Sequence, residues 1–117
     1  MPYISGYLVP VPETAREEYL KAAQLMGALM LKYGATRVVE SWGTNTPDGK
    51  TTSFPMAVKL EPGEVVVFSW AEWPSKDVAD EGEKLMMEDE AINEVPMPFD
   101  GKRLIFGGFE TIFDERA

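Results

Sequence analysis

Alternation of apolar and polar residues predicts four strands in this chain. The predicted strands are residues 3–11, 35–43, 64–73 and 103–113. All four are rich in β-branched and aromatic side chains and are bounded by proline, glycine or polar turn residues. The segment 64–73 is the clearest of them because it contains three consecutive valines followed by phenylalanine.

A helical periodicity of three and four residues occupies most of the chain between the first two strands. Its apolar positions are Ala15, Tyr19, Ala22, Ala23, Met26, Leu29, Met30 and Tyr33. Thr14 and Glu17 have the spacing of a capping box at the N-terminus, and Gly34 supplies a C-terminal stop. A second helix is predicted near residues 76–89, after Pro74 and Ser75.

Residues 53–60 are consistent with two structures. Phe54, Met56, Val58 and Leu60 alternate as in a strand, whereas Ser53 before Phe54 and Pro55 is typical of a capped helical turn. We expect a short helix here. The proline-rich segment 91–103 is expected to be irregular.

The order strand, helix, two strands, helix, strand predicts an α+β fold, the ferredoxin-like βαββαβ arrangement with an antiparallel sheet. At 117 residues, the chain is expected to form a single domain over residues 1–117. Two helices can cover only one face of such a sheet. The uncovered face therefore predicts a homodimer that pairs through it.

Several segments of the chain are similar to the DUF1428 family. They are residues 34–40 (GATRVVE), 65–70 (VVVFSW), 74–76 (PSK) and 97–109 (MPFDGKRLIFGGF). This resemblance implies a dimeric α+β barrel and a family whose molecular function is uncharacterised. The wider barrel superfamily includes cofactor-free monooxygenases, isomerases, haem enzymes and ligand sensors, so the fold alone does not identify an activity.

Composition removes several classes of chemistry. The chain has no cysteine and no histidine, which excludes thiolate nucleophiles, Cys or His zinc ligands and a histidine haem ligand. Any metal site would therefore have only oxygen ligands, which suit Mg²⁺ or Ca²⁺. The acid-rich stretch 77–94 matches no EF-hand spacing and favours a solvated helix face, so we predict no cofactor and no metal. A net charge of −9 argues against nucleic acid and anionic membranes as partners. The N-terminus has no signal-peptide pattern, so a cytoplasmic location is expected.

Strand alternation predicts that carboxylates and aromatic rings share the sheet face turned away from the helices. The acid/base candidates are Glu40 and Glu72, since desolvation among aromatic rings raises a carboxyl pKa. The ligand-binding candidates on this face are Tyr7, Trp42, Phe68 and Trp70. Packing of a dimer interface is the alternative role for these aromatic residues, and solvation or ion pairing is the alternative for the glutamates.

The segment around Asp100 and Gly101 is a second candidate site. Phe99, Lys102 and Arg103 are predicted to form a lip over the cavity, with one of the two cations binding an anionic group of a ligand. Its structural alternative is a plain turn that leads into the last strand.

Three functional hypotheses result from the sequence. The first is a small-molecule-binding protein or cofactor-independent enzyme, and the choice between these two stays open. The second is a non-catalytic dimeric module for protein interactions. The third, an RNA-associated role, conflicts with the negative charge.

Overall fold

A four-stranded antiparallel sheet carries the other elements of this α+β fold. The computed structural model describes all 117 residues. The strands are β1 (Tyr3–Pro12), β2 (Arg37–Trp42), β3 (Glu64–Trp73) and β4 (Ile105–Glu110), in the spatial order β2-β3-β1-β4. β3 has the predicted bounds, whereas β2 and β4 lose residues at both ends of the predicted segments.

Three α-helices connect the strands: α1 (Arg16–Lys32), α2 (Phe54–Ala57) and α3 (Lys76–Glu88). The predicted short helix is confirmed as α2, whose first turn is capped by Ser53 Oγ accepting from Met56 N at 3.1 Å. A 3-10 turn at Glu90–Glu94 follows α3.

The predicted capping box at the start of α1 is wrong. The chain leaves β1 at Pro12 and first forms a 3-10 turn over Glu13–Ala15, so α1 begins at Arg16. No side chain caps this turn or the helix. Thr14 lies inside this turn and Ala15 takes the N-cap position of α1, so Thr14 is not the N-cap residue that a capping box requires.

The strand register determines which side chains share a face. Glu40 pairs with Ser69, and Glu72 pairs with Arg37. Because side chains alternate along a strand, Glu40 lies on the helix side of the sheet and Glu72 lies on the opposite, outer side. The prediction that Glu40 and Glu72 share one face is therefore wrong, since the sequence shows each strand's alternation but not the register between strands.

The core lies between the helices and the inner face of the sheet, in two clusters. The larger cluster surrounds the fully buried Trp73 at the end of β3. The smaller cluster joins Val9, Val11 and Val67 of the sheet to Tyr19 of α1. The two clusters cover different ends of the same sheet face.

Close packing between α3 and Trp73 depends on Gly82. A Cβ atom at position 82 would lie 2.6 Å from Trp73 Cζ3 and 2.5 Å from the carbonyl oxygen of Tyr33. Both distances are too short for a side chain, so glycine is required at this contact.

None of the helices is both long enough and apolar enough to span a membrane.

We expect Gly82→Ala to destabilise the fold, although alanine favours a helix interior more than glycine does. The added methyl group must displace Trp73 or the backbone of α1, and such overpacking costs about 1–3 kcal/mol. Urea unfolding monitored by circular dichroism measures the change. Gly101→Ala is the matched control, because no atom lies within 4 Å of its Cβ position. Equal stability of Gly82→Ala and wild type would contradict this packing.

Candidate functional site

A cavity of about 540 Å³ lies between the inner face of the sheet and the helices, and it borders both core clusters. Side chains of all four strands, α1 and α3 form its walls, and the segment before β4 lies along one side. The polar groups of the cavity are Tyr7, Tyr19, Glu40, Ser69 and Glu83.

Glu40 holds the first of two carboxylates in this cavity. Tyr19 donates to its Oε1 at 2.6 Å, and Ser69 donates to its Oε2 at 2.7 Å. Tyr19 and Ser69 are buried, while Glu40 itself is open to solvent. Two hydroxyl donors therefore fix the orientation of the carboxylate, and each oxygen keeps a further lone pair for a ligand.

Glu83 on α3 holds the second carboxylate. Ser5 donates to Glu83 Oε1 at 2.8 Å and accepts from Trp73 Nε1 at 3.1 Å. Ser5 and Trp73 are both buried, so this hydrogen-bonded chain runs from the core to the cavity wall. It connects Glu83 to the larger core cluster around Trp73.

Two tyrosine hydroxyls stay protonated beside these carboxylates. Burial raises the pKa of Tyr19 far above its ordinary value, and the hydrogen bond and charge of Glu40 raise it further. Burial is also the main cause of the raised pKa of Tyr7, followed by the charge of Glu83; contact with Ser5 lowers it, and Glu40 adds a smaller increase. Tyr7 thus lies within the electric field of both carboxylates and keeps its hydroxyl proton.

The remaining wall of the cavity is apolar and contains much sulfur. Five of the seven methionines in the chain line it: Met26, Met30, Met86, Met87 and Met97. Two phenylalanines complete the aromatic part, with Phe99 edge-on to Tyr19 at 5.9 Å and Phe106 at 6.3 Å from Tyr7. Methionine side chains adapt to the shape of a ligand because they are unbranched and flexible.

Comparison with known proteins identifies the family. A sequence profile described as "Protein of unknown function (DUF1428)" matches residues 2–101. The chain belongs to the DUF1428 family. It is 49% identical over 117 residues to the uncharacterized protein YbaA of Escherichia coli K12. The aligned region covers 98% of this chain and 100% of YbaA. YbaA of Escherichia coli O157:H7 and of Shigella flexneri show the same identity and coverage.

The family resemblance seen in the sequence is thereby confirmed. Neither the description of DUF1428 nor the names of these relatives states an activity, which agrees with the expectation of an uncharacterised family. The function of this DUF1428 member must therefore be argued from its own residues.

The structure separates the ligand-binding candidates into two groups. Tyr7 and Phe99 line the inner cavity together with Glu40. Trp42 lies on the same side of the sheet but does not line the cavity. The Arg16 guanidinium lies 5.3 Å from the Trp42 ring, and the Tyr19 ring lies 6.5 Å from it.

Phe68, Trp70 and Glu72 lie instead on the outer face, in an open groove of about 990 Å³. The Arg37 guanidinium stacks 5.1 Å from the Trp70 ring, and Thr36 donates to the backbone oxygen of Glu72 at 3.2 Å. The C-terminal residues 111–116 form the other wall of this groove.

Arg103 in this DUF1428 chain anchors the lip to the sheet. It forms a two-pronged ion pair with Glu64 of β3, both N–O distances being 2.7 Å, and its Nε donates to Asp100 at 2.9 Å. Its Nη1 also donates to the carbonyl oxygen of Lys59 at 3.1 Å. The hydrogen bonds of the Arg103 guanidinium are thus made to groups of the protein itself. Lys102 is exposed, and neither residue lines the inner cavity.

Sequence reasoning missed Tyr19, Ser69 and Glu83 as site residues. The helical periodicity puts Tyr19 in the apolar stripe of its helix, and Glu83 lies in an acid-rich helix that is typical of a solvated surface. Glu83 follows Gly82 and faces the sheet because that glycine allows α3 to approach. No three acidic side chains come together where they could hold a metal ion.

We expect Arg103→Gln to lower the midpoint of thermal unfolding at pH 7 by several degrees, because it leaves Glu64 without its cation. Arg103 holds the pKa of Glu64 below its ordinary value of 4.5. A lowered pKa contributes stability above pH 4.5 that is lost as pH falls through the folded-state pKa. The difference between variant and wild type should therefore shrink below pH 4.5.

Lys102→Gln is the control for Arg103→Gln, since it removes a neighbouring cation whose side chain makes no ion pair. Differential scanning fluorimetry across pH compares the three proteins. Equal loss of stability in both variants would show that net charge, and not the ion pair, is responsible.

Proposed function

We propose that this DUF1428 protein binds a small organic molecule in the inner cavity, as a homodimer with the dimeric α+β barrel fold. The observation that carries the proposal is the cavity itself: an apolar chamber of about 540 Å³ with two oriented carboxylates at its wall. Ligand sites in proteins are typically concave, mostly apolar and about 300–1,000 Å³ in volume, with a few fixed polar groups.

The hydrogen-bonded carboxylates at the cavity wall indicate a ligand site and not ordinary core packing. A core that only packs tightly leaves few voids larger than a water molecule. Here Glu40 receives two hydroxyl donors and Glu83 receives one, and both carboxylates border the open volume. Such preorganised groups can orient a ligand, and Glu40 is the stronger candidate for proton transfer if the bound molecule reacts.

Topology supports the ferredoxin-like assignment. The strand order β2-β3-β1-β4 with antiparallel neighbours is the order expected when the two halves of a βαββαβ chain interleave. The two long helices α1 and α3 both pack against the inner face, through core residues such as Ala22 and Ala79. Neither of these long helices covers the outer face, and only the short α2 contacts it, with the Phe54 ring 6.1 Å from that of Phe68.

The exposed apolar side chains of the outer face support the homodimer. Phe109 is 60% exposed, Phe68 is 46% exposed, and Ile112 and Phe113 beside them are 88% and 76% exposed. A monomer in water rarely keeps such a contiguous patch uncovered. A second copy offers a self-complementary cover through a two-fold axis. The same surface also favours the alternative function, a dimeric protein-interaction module. For either function we propose a cytoplasmic location.

Blocking the cavity tests the binding function. We expect wild-type protein to bind the neutral apolar dye Nile red saturably, and Ala23→Phe to weaken this binding about tenfold or more by filling the cavity. Ala23 lines the cavity from α1. Ala28→Phe on the exposed face of the same helix is the matched control and should bind like wild type. A fluorescence titration that is unchanged in Ala23→Phe would contradict the proposal.

Charge on the outer face tests the dimer. We expect wild type to sediment as a dimer and Phe109→Asp to sediment as a monomer, because a buried unpaired carboxylate opposes association. Leu31→Asp, on an exposed position of α1, serves as the control and should remain dimeric. Sedimentation velocity distinguishes the two forms. A monomeric wild type at micromolar concentration would refute the dimer.

A further inference from the structure

We propose that the ligand of the inner cavity is an organic cation, a molecule with an apolar body and a protonated amine. This inference rests on the proposed binding function and specifies the chemical class of the ligand. The charge of the cavity wall, and not its volume, indicates this class of ligand.

The cavity wall contains two carboxylates and no cation. None of the nineteen lining residues is lysine or arginine. No ion pair in the structure involves Glu40 or Glu83 either, although six ion pairs form elsewhere. Every polar partner that these carboxylates have is a neutral hydroxyl group. The negative charge of the cavity is therefore uncompensated by the protein.

When a ligand fills the cavity, the uncompensated negative charge determines which ligand charge is favoured. When an apolar molecule fills the cavity and displaces water, each carboxylate loses solvation that its hydroxyl donors replace only in part. An anionic ligand would add like-charge repulsion to this loss. A protonated amine would instead form charge-assisted hydrogen bonds, which are about twice as strong as neutral ones.

The apolar wall suits the same ligand. The rings of Tyr7, Tyr19, Phe99 and Phe106 border the cavity, and the negative face of an aromatic ring attracts an ammonium group. The polarizable sulfur atoms of the five methionines adapt to an apolar body of varied shape. The two serines that bind Glu40 and Glu83 flank Tyr7 on the inner face of the sheet, since Ser69 pairs with Tyr7 and Ser5 lies two residues before it on β1.

The residues of the predicted anion-binding lip bring no cation to the cavity. Arg103 is engaged by Glu64 and Asp100, and Lys102 does not reach the cavity wall. No cation of the segment before β4 therefore faces the ligand. The site is instead built for positive charge.

Three ligands with one skeleton test the inference: 2-phenylethylamine, 2-phenylethanol and 3-phenylpropanoate. By isothermal titration calorimetry at pH 7, we expect the amine to bind at least about tenfold more tightly than the alcohol, and the carboxylate to bind most weakly. Glu40→Gln and Glu83→Gln should each reduce amine binding while leaving the alcohol nearly unchanged. Glu81→Gln, on the exposed side of α3, removes the same charge outside the cavity and should have no effect.

The outcomes separate this inference from the proposed function. If the alcohol or the carboxylate binds as tightly as the amine, the ligand class is wrong. If Glu81→Gln weakens amine binding as much as Glu83→Gln does, net charge explains the preference and the inference is wrong. Failure of all three ligands to bind also overturns it. Nile red binding in the same preparation then shows whether the cavity still serves as a binding site or whether the proposed function fails as well.

Discussion

The fully buried indole of Trp73 is the contact on which the arrangement of the layers depends. It lies at the end of β3, donates to Ser5 of β1, and packs against Gly82 of α3. Gly34, which follows α1 with a φ of 117°, packs against α3, because a Cβ atom at this position would lie 2.8 Å from Val78 Cγ1. These contacts set the separation of α3 from Trp73 of the sheet and from the end of α1. The absence of a Cβ atom at the two glycines is what permits that separation.

The cavity is a consequence of how this contact is placed. Trp73 holds the helices close at one end of the sheet, and Tyr19 packs on Val9 and Val67 at the other end. Between these two clusters, helix and sheet are lined by short alanines and flexible methionines that do not fill the space. The same indole that closes the core also fixes Ser5, which in turn positions Glu83 at the cavity. Stability and site geometry thus share one hydrogen-bonded chain.

Local patterns in the sequence predicted the elements well and the site poorly. Strand and helix periodicity, together with glycine and proline positions, located β3, α3 and even the short α2, because these signals depend on near neighbours in the chain. The capping box at Thr14 failed since Pro12 leads into a 3-10 turn instead. Register was the decisive missing information: one residue of difference between β2 and β3 separates Glu40 from Glu72 across the sheet. Glu83 was hidden among solvated acids, because only tertiary packing around Gly82 turns it inward.

The concentration of methionines in the cavity gives this protein an uneven response to oxidation. A sulfoxide converts a flexible apolar side chain into a polar one. Met87 and Met97, 71% and 60% exposed, are accessible to an oxidant from outside, and both border the cavity. Peroxide would therefore alter the interior chemistry of the chamber before it reached the buried Met86. Reduction of these two sulfoxides would restore the apolar wall. The polarity of the cavity would therefore depend on the oxidation state of Met87 and Met97.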